Sequence, residues 1–376
     1  MLSTDVGSVP LNGELDRLGV GANYYESLLP LLYGPGSPPH IAAQYFEDQI
    51  VAGVAKKLSA GISVPAYPQL RDMNEMFLRR IDGIRREEHG WVATDALRIT
   101  PDKLKIPEVY AVLRNGSKIQ DLKRGPLQLR VCLTGPYTLA SFFAKRSADL
   151  LGSFGDILSR VAAANTSSTK HVKIRILSID EPVLGFLSDS LLDQGSQGRE
   201  VLISAWENIC REAKARGVEP LIHLHNTSLD LFWEVESLTH IESHVDDPLY
   251  RSKQARKQCE VADKFIKASI AVTDFESLIR QKIGATSKRA GLDTAELVAE
   301  TWNKIRKKSV NPVRFLETQT AMEKRLRAVV RLFGKERVRL AGPECGLGSF
   351  PTSDCAIECL RRTAVVARAF GRRSIN

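Results

Sequence analysis

The feature that most constrains this chain is a repeated alternation. Short runs rich in apolar and β-branched residues recur at "TDVGSVP" (4–10), "LQLRVCLTGP" (127–136), "IRILSIDEP" (174–182), "EPLIHLHN" (219–226), "HIESHV" (240–245), "ASIAVTDF" (268–275) and "VRLAGPECG" (338–346). Between them lie amphipathic stretches at 40–60, 150–170, 198–216, 252–267, 318–334 and 354–371. Runs that are apolar nearly throughout are those of strands buried on both faces. Strand and helix in repeated alternation predict an α/β fold, a closed (β/α)8 TIM-type barrel with elaborated loops. An open doubly wound sheet is the competitor, but no helix here opens on a glycine-rich phosphate-binding turn.

Residues 1–376 read as one catalytic domain carrying two loop insertions, 61–126 and 279–318, the second highly charged and helical in pattern. Neither holds enough apolar residues to stand as a domain of its own.

A second regularity lies at the strand ends. The chemically capable residues sit at the C-terminal ends of the runs: Ser8, Asp180 with Glu181, His223 with His225, Glu242, Asp274, and Glu344 with Cys345. In parallel barrels that rim carries the active site. A purely structural barrel needs no such asymmetry.

The sharpest signal is "LIHLHN" (221–226), which places two of the chain's seven histidines at i and i+2 behind an apolar run. Residues two apart on a strand share a face, so both imidazoles look into one space. One buried histidine is usually a satisfied core residue; two on one face suggest a metal. Zinc takes nitrogen, sulfur and carboxylate ligands. The chain offers His223, His225, Glu242 and Cys345, the last exposed on the turn "PECG". A buried carboxylate at Glu242 is costly unless it is paired or ligated.

Composition narrows the class. A hydrophobic content of 43% with 26% charged residues is ordinary for a globular protein. No apolar run reaches membrane-span length, and the N-terminus lacks the pattern of a signal peptide, so a cytoplasmic protein is expected. The six scattered cysteines then read as thiols, core residues or a metal ligand rather than disulfides. The net charge of +9 is spread along the chain without interleaved aromatic residues, so no nucleic-acid partner is expected. A basic surface remains compatible with an anionic substrate or partner protein.

Seven motifs in order resemble the catalytic C-terminal half of cobalamin-independent methionine synthase, in its compact archaeal core form. They are "VGSVP" (6–10), "RDMNEMF" (71–77), "LTGPYT" (133–138), "SIDEPVL" (178–184), "HLH" (223–225), "IESH" (241–244) and "GPECGLGSFP" (342–351). The resemblance implies a zinc-dependent methyltransferase that moves a methyl group to the thiol of L-homocysteine, giving methionine. It places the zinc ligands on His223, Glu242 and Cys345, with His225 where most members carry a cysteine. It assigns Ser8 to the substrate carboxylate, and Asp180 with Glu75 to its ammonium group.

The sequence departs from the better-known members in one respect. Where folate-dependent enzymes carry the histidine of "DIHS", which protonates the leaving group, "TDFES" (273–277) puts Glu276. The resemblance is to the C-terminal half alone, so no folate-binding N-terminal half is expected. Both points favour methylcobalamin or a corrinoid protein over methyltetrahydrofolate as donor, since a cob(I)alamin leaving group needs no proton. The alternatives are methyltetrahydrofolate itself, alkyl transfer to another thiol of coenzyme M type, and a non-catalytic binding barrel.

Overall fold

The computed structural model describes residues 1–11, 13–32, 38–120, 125–186, 188–290 and 293–372. Positions 121–124 of the first expected insertion and 291–292 of the second lie outside the described residues.

Seven strands form one wholly parallel sheet: β1 (Leu2–Ser3), β4 (Leu127–Thr134), β5 (Val172–Glu181), β6 (Glu219–Leu224), β7 (His240–Glu242), β8 (Phe265–Ala271) and β9 (Val338–Pro343). Their spatial order is β1-β9-β8-β7-β6-β5-β4. A separate antiparallel hairpin pairs β2 (Asp82–Glu87) with β3 (Gly90–Arg98). The sheet is curled, and the α/β architecture is consistent with a TIM-like barrel. At its two edges, single parallel bridges join Thr4 to Val64 and Ala66 to Arg130, so residues 62–66 touch both ends of the sheet. That segment falls inside the stretch that the sequence pattern assigns to an insertion.

The helices begin where small polar residues cap them. Ser147, Ser196, Ser252 and Thr318 each accept a backbone N–H from the first turn of Ala148–Asn165, Gln197–Lys214, Lys253–Val261 and Gln319–Phe333, respectively. Such a cap satisfies one orphan donor and is worth about 0.5–2 kcal/mol. The apolar faces then close on the sheet, burying Phe154, Trp206, Ile209 and Leu326. The first insertion carries the hairpin and the helix Pro107–Arg114; the second carries Thr294–Arg306. No helix among the described residues is long and apolar enough to cross a membrane.

One joint shows how the rim is held. Buried Glu181, at the end of β5, accepts the backbone N–H groups of Tyr137 and Thr138, the Thr138 hydroxyl and the Trp206 indole N–H. It therefore anchors the turn after β4 to the helix Gln197–Lys214. A Cβ on Gly135 would stand 2.2 Å from that carboxyl group, which is why only glycine fits there. Burial outweighs the four donors and pushes the Glu181 carboxyl up to about 7.

Candidate metal centre

Parallel register sets the site. Asp180 on β5 is paired with His223 on β6, and His223 with Glu242 on β7. Three neighbouring strands thus deliver a carboxylate, an imidazole and a second carboxylate to one level of the sheet interior. His225 lies two positions beyond His223, and His244 two beyond Glu242, so both stand nearer the rim on the same faces. From the far side the turn after β9 brings in Cys345.

One ligand atom each from His223, His225, His244 and Cys345 lies within 4.8 Å of the others. The Cys345 Sγ is 3.4 Å from His225 Nε2. The His225 and His244 rings are 4.0 Å apart by centroid, and His223 is 5.2 Å from His225. Ligands of a tetrahedral zinc stand about 3.3–3.6 Å apart, so a small contraction closes this set on one ion.

The donor chemistry fits a metal as well. His223 Nε2 and His244 Nε2 are buried without a hydrogen-bond partner, an expensive condition for a polar atom. His223 Nδ1 stands 3.0 Å from Glu242 Oε1, off the line that a hydrogen bond needs but close enough for a strong charge contact. A carboxylate behind a ligating imidazole is a common way to fix the ring. Burial raises the Cys345 thiol, yet contacts with His223, His225 and His244 outweigh it and hold the group well below its ordinary value. A thiolate is the form that binds metal. His223 is pulled the other way: burial opposes its charge, but Cys345 and Glu242 raise it to about 10.

The residues singled out in the sequence are distributed around this cluster unequally. His223, His225 and Cys345 belong to it. Glu242 stands outside, fully buried and bound by Arg130 and Lys267. His244 is in the cluster and was not among the expected ligands.

Ser8 abuts the cysteine turn. Its Oγ accepts the Gly348 N–H at 3.3 Å and its carbonyl accepts the Leu347 N–H at 2.8 Å. Asp180 is buried, accepts the Ser178 hydroxyl and lies 3.9 Å from Arg130. Burial raises its carboxyl, and the nearby charges of His223 and Arg130 oppose that. Glu75 starts the short helix Glu75–Leu78, is paired with Arg79 and Arg86, and lines a cavity of about 540 Å³. Glu276 is exposed and committed to Arg280, one turn along its helix. The exposed ring of Phe186 stands edge-on to His225 at 6.5 Å, at the mouth of the cluster.

Comparison with known proteins agrees with this frame. No family model matches the chain. A stretch of 142 residues, 36% of the chain, is 25% identical to the 5-methyltetrahydropteroyltriglutamate–homocysteine methyltransferase of Rhodococcus jostii. The chain spans only 18% of that relative's length. In fold it is similar to a B12-independent methionine synthase from Shewanella sp. W3-18-1, solved with selenomethionine, with a TM-score of 0.60 and 12% identity over 99% of this chain and 98% of that one. It is also similar to a methyltransferase from Methanosarcina mazei, with a TM-score of 0.53 and 13% identity over 98% of this chain and 94% of that one. The resemblance read from the ordered motifs therefore stands: the sequence relative is named a homocysteine methyltransferase, and the Shewanella structure, named a B12-independent methionine synthase, shares the fold.

Proposed function

We propose that this chain is a zinc-dependent methyltransferase that moves a methyl group to the thiol of L-homocysteine, giving methionine, on an eight-stranded barrel whose eighth strand is the bridging segment 62–66. The observation that carries the reading is the cluster of three imidazoles and one thiolate at the C-terminal mouth of a parallel sheet. Its position is where barrel enzymes hold their chemistry, and its donor set suits zinc.

The chemistry that a bound zinc supplies is to turn the substrate thiol into a thiolate at neutral pH. His223, His225, His244 and Cys345 would hold the ion, and Glu242 would orient His223 from behind. Ser8 and the backbone N–H groups of the turn after β9 receive the substrate carboxylate. Asp180 faces its ammonium group, and Glu75 gives it an oxygen in exchange for an arginine. Sulfur then forms its bond to the methyl carbon as the bond from methyl to donor breaks.

The donor favoured is a methylated corrinoid or its carrier protein. Glu276 is exposed and committed to Arg280 one turn along its helix, and a corrinoid leaves without needing a proton. Six free thiols suit the reducing cytoplasm in which such an enzyme would work.

The test is metal analysis joined to turnover. The purified protein is expected to carry about one zinc per chain, with a sulfur added to the metal's surroundings when homocysteine binds, and to form methionine from a methyl donor. A protein with no zinc and no methyl transfer overturns the reading in favour of a non-catalytic barrel.

A further inference from the structure

The interior of the sheet below the cluster holds a cross-linked set of charges. Glu242 is fully buried, and each of its oxygens has two nitrogen neighbours. Oε1 lies 2.6 Å from Arg130 Nη2 and 3.0 Å from His223 Nδ1. Oε2 lies 2.8 Å from Lys267 Nζ and 3.4 Å from Arg130 Nη1. Arg130 donates to both oxygens, and Lys267 and His223 add a close charge contact to one oxygen each, so both oxygens are engaged by buried nitrogen groups. Lys267 is likewise spent: its other protons go to the Pro343 carbonyl and the Ser269 hydroxyl. Arg130 also donates to Ser178 Oγ.

Moving Glu242 onto a metal would strip two fully buried cations of their main anion, and a buried charge without a partner is strongly unfavourable. The same strand offers a replacement at no such cost. His244 lies two residues further on, on the same face and inside the cluster, with a buried nitrogen that lacks any other partner.

We propose that Arg130 and Lys267 are positioning residues that withhold Glu242 from the metal, so that β7 ligates through His244 and the ion is carried by three imidazoles and one thiolate. The inference rests on the zinc reading above and deepens it. The protein ligands then bring a single negative charge to the dication, which leaves the metal strongly electrophilic toward an incoming thiol. Glu242 acts through His223, whose ring it fixes.

X-ray absorption at the zinc edge of the wild-type protein tests this directly, because imidazole rings give distinctive outer-shell scattering. The expected shell is three imidazoles and one sulfur. The paired variant Glu242→Gln/Lys267→Met removes one buried charge of each sign. It should keep that shell while binding zinc about 10–100-fold more weakly, as loss of an outer-shell partner does. His244→Ala should lose an imidazole from the shell or lose the ion. A wild-type shell with two imidazoles and a carboxylate oxygen overturns the proposal, as does a paired variant whose shell changes while that of His244→Ala does not. Wild-type protein that takes up no zinc is a different failure: it removes the metal centre itself, and this inference with it.

Discussion

The Cys345 sulfur lies 3.4 Å from His225 Nε2, although the two residues are separated by 120 positions and arrive from different strands. No other side chain in the cluster can supply a thiolate, and soft sulfur is the ligand that best distinguishes a zinc site from a hard-cation site. Cys345→Ala is therefore expected to abolish zinc binding and methyl transfer together. Metal content after dialysis and an activity assay read the two effects. Turnover that survives the substitution would remove Cys345 from the site.

Protons compete with the metal in a way whose sign can be worked out. In the metal-free protein burial opposes charge on His223, but its contacts with Cys345 and Glu242 prevail and raise it to about 10. His223 therefore carries a proton at neutral pH. Burial lowers His225, which is neutral there, and Cys345 is already a thiolate. Zinc must then displace one proton, so its apparent affinity should rise about tenfold per pH unit through neutrality and level off as pH passes about 10. Titration calorimetry in buffers of different ionisation enthalpy counts the released protons; a count of zero would contradict the assigned charges.

Much of this architecture was legible in the sequence, for a physical reason. Strands buried on both faces must be apolar along their length, so β4 to β9 announce themselves, and their helices are marked by Ser and Thr caps. The bridging segment 62–66 was not legible. It makes one bridge to each edge, and Pro65, which has no N–H to donate, makes it read as a loop.

At the site, the "HLH" spacing revealed one face of the cluster. His244, two positions past Glu242 on the same face, was not among the ligands read from the sequence. The missed clue was in other strands. Arg130 lies within the run "LQLRVCL". Lys267, which the sequence pattern leaves at the end of the amphipathic stretch 252–267, lies in the strand Phe265–Ala271. Both are buried, and a buried cation is costly unless it is paired. Glu242 is the anion that pairs with both.

The turn that presents Cys345 is packed against Ser8 with no room to spare. A Cβ on Gly346 would stand 1.9 Å from Ser8 Oγ, so the hydroxyl must move or the turn must open. Gly346→Ala is expected to cost about 1–3 kcal/mol of stability by overpacking. It should also raise KM for homocysteine, because Ser8 is displaced from the place proposed for the substrate carboxylate. Thermal unfolding and steady-state kinetics measure these effects, with zinc content as the control. An unchanged KM in a folded, zinc-loaded variant would exclude Ser8 from substrate binding.

The methyl donor turns on Glu276, which stands at the sequence position where the folate-dependent enzymes carry their leaving-group acid. A folate leaving group is a poor one and needs a proton, whereas cob(I)alamin departs as a stable anion equivalent. Glu276 occupies the first turn of the helix Phe275–Ala290, is exposed, and accepts from Arg280 at 2.7 Å. Its backbone N–H is bound to the Asp274 side chain, which fixes the start of the helix. Its carboxylate is thus committed to a neighbour on its own helix, in an exposed pair. With methylcobalamin and methyltetrahydrofolate offered side by side, methionine is expected to form from the corrinoid. Glu276→Gln should leave that rate within about twofold, since this exposed pair contributes little on its own. A strong preference for folate, or a large loss of rate in Glu276→Gln, would overturn the donor assignment while leaving the cluster at the barrel mouth intact.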